Sequence, residues 1–256
     1  MKEFVVDDKT AKKYRRKSLI AFIIFFALLA LGWTGWKYLN NAPRDGGIRG
    51  GLQKPLRQVL DLNEEVYSGL FSSKRLVKEY PRSKAAPRAR VNGDVGLDPS
   101  LFDSASWRLQ ILRANGDTLS LTLDDIKQLP RYDVVFNFKC IEGWSQITWW
   151  SGARFSDLIK KYHLEKEAGM KYVGMATPDE EYYVGIDMPS IMQPQTILCY
   201  QLNAQPLPMN QGYPLRLIIP VKYGVKHLKR IGTISFSNTR PPDYWAERGY
   251  DYYTGL

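Results

Sequence analysis

The chain has 256 residues, 44% of them hydrophobic and 13% aromatic, which supplies a packed core and excludes wholesale disorder. Lysine and arginine number 36 against 26 acidic residues, a net charge of +10 that suits an anionic ligand or membrane face; with no nucleic-acid motif and the basic residues scattered, nucleic acid is not an expected partner. Two cysteines, Cys140 and Cys199, and two distant histidines, His163 and His227, exclude a disulfide-rich scaffold and a cysteine- or histidine-based zinc site, and leave room for one disulfide.

The chain opens with a basic flank (residues 1–18), dense in cations at Lys12-Lys13-Tyr14-Arg15-Arg16-Lys17. An uncharged apolar run follows from Leu19 to Trp36, and as a helix it spans about 27 Å, close to a bilayer core. Trp33, Trp36 and Tyr38 mark its far end as interfacial aromatics do, so residues 19–38 are expected to cross the membrane. The positive-inside rule keeps the basic flank in the cytoplasm and places the rest of the chain on the periplasmic or outer side. Arg15-Arg16-Lys17-Ser18-Leu19 also has the look of a degenerate twin-arginine signal, while an ordinary basic flank is the reading the sequence alone favours. No small-residue cleavage site follows, so the segment is expected to stay as a single-pass anchor in the inner membrane.

Residues 39–90 are expected to be a linker carrying one short helix. Leu56, Val59, Leu60, Leu62, Val66 and Leu70 recur at helical spacing, which predicts a helix from about Pro55 to Phe71. Lys74 to Arg90, with Pro81 and Pro87, reads as an extended basic connector. The folded domain is expected over residues 91–256. Strands are predicted at Trp107–Leu112 and Leu119–Leu123 around the turn signal Asn115-Gly116. A short helix capped by Thr122 then ends before Pro130, an alternating strand covers Val134–Phe138, and Ser156 caps a helix to about Tyr162 whose end His163 caps. Further strands are predicted at Lys171–Ala176, Tyr182–Ile186, Thr196–Leu202, Arg216–Val221 and Ile231–Ser237. Strands mixed with short helices indicate the α+β class.

One stretch carries the chemistry. Lys139-Cys140-Ile141-Glu142-Gly143-Trp144-Ser145, followed by Trp149-Trp150-Ser151-Gly152, sets one thiol between an alternating strand and a glycine–tryptophan cluster. Such a thiolate serves as a soft metal ligand or as a nucleophile. The nucleophile reading lacks a visible histidine–acid partnership. Arg216 stands inside the apolar run Leu215–Pro220 and must find an anion or reach water. Lys222-Tyr223-Gly224-Val225-Lys226-His227-Leu228-Lys229 adds cations and a glycine turn, together a cradle for phosphate or another anion. Glu142 reads as a proton carrier or a hydrogen-bonded carboxylate, Trp144, Trp149 and Trp150 as a funnel wall or core, and Cys199 as a small buried hydrophobe.

The order and spacing of the cysteine motif, the Trp150-Ser151-Gly152 cluster, Gly212-Tyr213-Pro214-Leu215-Arg216 and the His227-Leu228-Lys229 run resemble the sulfite-oxidase-like molybdopterin oxidoreductase family. The bacterial branch containing periplasmic protein-methionine-sulfoxide reductases is the most similar, over roughly Val91 to Trp245. The resemblance implies a sulfite-oxidase-like molybdopterin-binding fold and a molybdenum–molybdopterin cofactor. It implies Cys140 as the metal ligand and Thr177, Gln211, Arg216, His227, Leu228 and Lys229 as cofactor contacts, with Gln211 where relatives carry Asn or His. An asparagine contact is implied as well, with Asn63 and Asn92 both open. Two-electron redox or oxygen-atom transfer on a small substrate or sulfoxide follows, with electrons exchanged through a membrane cytochrome or soluble carrier. A non-catalytic module holding an anion or a pterin is the rival reading. Animal and plant sulfite oxidases follow the ligand cysteine with an arginine; here Ile141 follows, so sulfite oxidation is not implied, and no haem-attachment motif is present.

Overall fold

The structure is a computed structural model that describes residues 7–46, 51–72 and 76–255. Its first element, α1 (Asp8–Asn41), runs through both the basic flank and the apolar run as one helix. Its most apolar stretch has a mean hydropathy of 2.2 with no residue buried, so it is long and apolar enough to cross a membrane. The second helix is α2 (Lys54–Leu70), with Pro55 in its first turn as the spacing predicts.

Two five-stranded sheets form the body. The first has the order β2 (Thr118–Leu121), β1 (Leu109–Leu112), β10 (Thr233–Ser237), β5 (Tyr172–Ala176), β6 (Tyr183–Asp187). The second runs β3 (Arg131–Lys139), β4 (Ser145–Arg154), β7 (Ile197–Leu202), β8 (Gln205–Pro206), and β9 (Arg216–Ile218) also pairs with β7. Among the described residues β1 and β10 are parallel and the other pairings antiparallel, which fits the α+β expectation. The helices α3 (Leu123–Lys127), α4 (Phe155–Lys161), α5 (Glu165–Ala168) and α6 (Met188–Ile191) are short.

Strand alternation divides the apolar residues between two cores. Leu198, Tyr200 and Leu217 face a core shared with Leu109, Ile111, Val173, Met175, Val184, Ile186 and Ile234 of the other sheet. Ile197, Cys199 and Ile218 face the opposite way, with Val134, Phe136, Phe138 and Trp150. Arg216 has the parity of Ile218, and Cys140 continues the parity of Val134, Phe136 and Phe138 beyond the end of β3. Period two thus brings the thiol and the guanidinium to the same side of one sheet.

Several expectations need correction. β4 is a ten-residue strand where the sequence showed only a tryptophan–glycine cluster. Trp107, Leu123, Tyr182 and Thr196 fall just outside the strands predicted to contain them, and β9 ends at Ile218 because the chain turns there toward Lys222. The cap of α4 is Arg154 rather than Ser156, and β10 starts at Thr233 rather than Ile231. His163 ends the helical segment through its left-handed backbone (φ 53°). The connector is extended, but it is no free linker. Tyr80 N–H bonds the carbonyl of Val135, Ala86 N–H that of Ile147, and Gln195 is bonded to Val77 and Glu79, so this strap covers the second core and a boundary at residue 91 cuts through packed structure. Lys74, where the connector is predicted to begin, lies outside the described residues.

Candidate active site

Cys140 sits in a tight turn that closes the β3–β4 hairpin. Its N–H bonds the carbonyl of Trp144 at 3.0 Å, and Gly143 N–H bonds the carbonyl of Cys140 at 3.1 Å. Gly143 adopts φ 87°, the left-handed region in which glycine escapes the Cβ penalty. The buried thiol opens onto a cavity of about 270 Å³ walled by Asn92–Val95, Ile141, Glu142, Tyr182, Gly224, Val225, His227, Lys229, Trp245 and Tyr250. Burial raises the thiol's pKa; the N–H groups of Glu142 and Ile141 and the charge of Arg90 pull the other way, while Glu142's charge adds to the rise. Left alone, the sulfur is therefore a thiol, and binding a metal releases its proton.

Three cations stand behind the cavity. Lys229 Nζ donates to the carbonyls of Asn92 at 2.9 Å and Gly93 at 2.7 Å. Burial, reinforced by the charge of Arg216, lowers its pKa to about 7 against the smaller pull of Asp94 and Cys140. Arg216 is fully buried, stacks 4.6 Å over Trp150, and donates through Nη1 to the Gln211 carbonyl at 3.1 Å and Oε1 at 2.7 Å. Nη2 donates to the carbonyl of His227 at 3.4 Å, and Nε is buried without a partner. Burial brings the guanidinium down to about 10, so it stays charged at neutral pH. Arg90 lies over Trp144 at 4.7 Å. Among the described residues neither Lys229 nor Arg216 forms an ion pair. Buried positive charge without a carboxylate is costly unless an anion arrives.

His227 is not free to act as a base. Its Nδ1 accepts from Ile219 N–H at 3.4 Å and its Nε2 donates to the carbonyl of Lys222 at 3.1 Å, a network that assigns the neutral tautomer. Burial first, then the charge of Arg216, pulls its pKa to about 3. His227 is thereby unavailable as the base that a cysteine nucleophile would need. The lowered pKa also predicts acid sensitivity. Because the folded pKa lies below the unfolded value, the unfolded chain takes up this proton first, and stability falls as pH drops from about 6.5 toward 3. The slope of unfolding free energy against pH between about 6 and 4 should shrink in His227→Gln by one proton's worth, ~1.4 kcal/mol per pH unit. Denaturant titrations across that range read it, and an unchanged slope contradicts the assignment.

The structure brings Cys140, Asn92, His227 and Lys229 to one cavity. Arg216 and Gln211 line a small void next to it, which shares Asn92 with the cavity. Gly224 allows this convergence: a Cβ there would lie 2.9 Å from the Phe138 ring and 3.1 Å from Asn92 Nδ2. Asn63 is excluded, since it lies exposed on α2 and does not line the cavity. Two other residues implied as contacts do not line this cavity. The Leu228 side chain is wholly in the inter-sheet core. The Thr177 hydroxyl is buried in its own turn, donating to Asp179 at 2.6 Å and accepting from Tyr182 N–H at 3.1 Å; it shapes the turn that presents Tyr182 and does not reach the cavity wall. Of the tryptophans, Trp150 is core, Trp144 receives Arg90 and donates to Glu142 Oε2 at 2.8 Å, and Trp149 is covered by Arg82. The aromatic wall is instead Tyr182, Trp245 and Tyr250, which no sequence pattern singled out. Cys199 matches its expected role: its buried thiol donates to the Gln201 carbonyl at 3.2 Å and has its pKa pushed up to about 12, and both cysteines are free, so the single disulfide left open by the count does not form.

Residues 96–245 match the oxidoreductase molybdopterin binding domain, more than half of the chain. The chain belongs to this family. A candidate protein-methionine-sulfoxide reductase subunit of Azospira oryzae is 35% identical over 205 residues, covering 80% of this chain and 77% of the relative. The protein-methionine-sulfoxide reductase catalytic subunit of Campylobacter jejuni is 29% identical over 174 residues, 60% of this chain and 58% of the relative. The crystal structure of the sulfane dehydrogenase SoxCD from Paracoccus pantotrophus superposes with a TM-score of 0.49 at 18% identity, covering 66% of this chain and 46% of that one. The protein is thus an oxidoreductase of sulfite-oxidase-like fold that binds molybdopterin, the organic carrier of molybdenum. The cavity fits that group on its own terms. It offers a soft sulfur donor, and behind it stand two buried cations, one with an orphaned N–H, that form no ion pair among the described residues and so suit a phosphate.

Proposed function

We propose that this protein is a membrane-anchored molybdenum oxidoreductase that reduces a small sulfoxide, N-oxide or related oxygen-atom donor on the periplasmic side of the inner membrane. When bound, the cofactor supplies two-electron redox chemistry at molybdenum. Cys140 would be the protein's own ligand to the metal. Lys229 and Arg216 would neutralise the phosphate, Asn92 and Gln211 would hold the pterin, and the backbone around His227 would keep the Arg216 fork aimed. Glu142 keeps Oε2 on Trp144, so Oε1 is the oxygen that would take up or deliver a proton at the cavity mouth. Tyr182, Trp245 and Tyr250 would limit which substrates reach the sulfur.

The observation that carries this reading is one cavity with a thiol on its wall and unpaired buried cations behind it. The sulfoxide preference leans on the names of the relatives, and the anchor on the exposed apolar length of α1. Electrons would come singly from a membrane cytochrome or soluble carrier, which the tether keeps at high local concentration. The test uses full-length protein from a host that makes the cofactor. Metal analysis should give stoichiometric molybdenum, and reduced viologen should be oxidised in the presence of methionine sulfoxide or another member of a sulfoxide and N-oxide panel. Molybdenum near zero would instead favour an anion-binding module.

A further inference from the structure

The helix α2 is amphipathic the wrong way round. It meets the domain through polar groups. Arg57 donates to the carbonyls of Ala246 at 2.7 Å and Tyr250 at 2.8 Å, and Arg240 pairs with Asp61 and Glu64, each at 2.7 Å. The opposite side, at i, i+3, i+7 and i+11, carries Val59, Leu62, Val66 and Leu70, which are 54%, 57%, 51% and 71% exposed. At 100° per residue these four fall within one quadrant, a continuous apolar stripe turned to solvent. A soluble domain would turn such a face inward.

The position of the helix says what covers that stripe. The start of α2 lies against the chain that leaves α1: Lys54 N–H bonds the carbonyl of Pro43, Asp45 N–H that of Leu52, and Arg44 pairs with Gln53. Lys37, Tyr38 and Asn41 of α1 and Lys54, Pro55 and Gln58 of α2 flank one cleft, which puts the start of α2 beside the end of α1. Trp33, Trp36 and Tyr38, exposed on the last turns of α1, mark the interfacial depth, so α2 starts at the level of the lipid headgroups.

We propose that α2 is an interfacial helix that lies in the headgroup–acyl boundary on its Val59–Leu62–Val66–Leu70 stripe, with its polar side fastened to the catalytic domain. Such helices bury their apolar face about 5–10 Å into the boundary. The bilayer then fixes the orientation of the domain as well as its distance. Arg57 joins α2 to Ala246 and Tyr250, and Trp245 and Tyr250 line the cavity, so the cavity rim is tied to the lipid surface through one arginine. This inference rests on α1 spanning the membrane.

The test places an environment-sensitive fluorophore on full-length Leu62→Cys and, as the control on the polar side, Ser68→Cys; the native thiols are buried and compete poorly for label. Each is reconstituted alone into phosphatidylethanolamine–phosphatidylglycerol vesicles. The label at 62 should shift to the blue and lose intensity to a shallow doxyl-labelled lipid, and the label at 68 should not be quenched. If the chain floats with the vesicles while both labels report water, the interfacial helix is wrong and the anchor stands. If the label at 62 is shielded in native membranes only, a protein partner covers the stripe and the proposal fails. If the chain does not float with the vesicles, anchor and interfacial helix fall together.

Discussion

Cys140→Ser is expected to reduce viologen-coupled turnover by more than ~100-fold, beyond the range that changes around a metal's ligands produce. The fold should survive it. The turn holding residue 140 is closed by backbone bonds to Trp144 and Gly143, and neither involves the side chain. Serine is of similar size, and its hydroxyl can be met by the same Ile141 and Glu142 N–H groups that face the sulfur. What changes is the donor: a hard hydroxyl that does not ionise near neutral pH replaces a soft sulfur whose proton a metal displaces. The measurement is paired. Circular dichroism and the denaturant midpoint should stay near wild type, while turnover and the sulfur contribution in the molybdenum X-ray absorption edge should fall. Wild-type activity in this variant would remove Cys140 from the mechanism.

The contrast between Cys140 and Trp245 shows what a sequence discloses about a site of this kind. Cys140, Arg216 and Lys229 belong to short motifs in which an unusual residue type stands in an apolar or glycine-rich setting, so local chemistry marks them, whereas Asn92 enters only as one of two asparagines that the resemblance leaves open. Trp245 and Tyr250 sit in a C-terminal segment without periodicity, and only the tertiary path of the chain makes them cavity wall. β4 was invisible for a different reason. From Trp150 to Ala153 it is buried on both faces, so the period-two alternation that announces a half-exposed strand vanishes. For α2, spacing gave the helix and its apolar face correctly but carried no information about direction, and the natural assumption that such a face turns inward fails here. Thr177 and Leu228 show what motif alone leaves open: both are deeply buried, and the structure uses their side chains in the turn and the core.

Lys229→Met should separate stability from function, with opposite signs. In the protein without cofactor, Lys229 is a buried cation whose pKa stands at about 7, below the ordinary lysine value because of burial and Arg216. A lysine depressed in the folded state opposes folding fully below pH 7, and the penalty fades as pH rises through the unfolded value near 10.4. Methionine keeps the apolar stem without the charge and is one atom shorter, and it gives up the two bonds to the Asn92 and Gly93 carbonyls. Those carbonyls border the cavity, where water can satisfy them. The net result expected for cofactor-free protein at pH 6 is a gain of about 1–3 kcal/mol, shrinking toward zero by about pH 10. With cofactor the sign reverses. A charge-assisted bond to phosphate contributes roughly 1.5–3 kcal/mol, so the variant should hold molybdopterin about 10–100-fold less tightly. Urea unfolding of protein from a cofactor-deficient host, run at several pH values, reads the first effect. Molybdenum retained after dialysis of protein from a competent host reads the second. A variant that loses stability at pH 6 while keeping its molybdenum would show that Lys229 is structural and that the phosphate lies elsewhere.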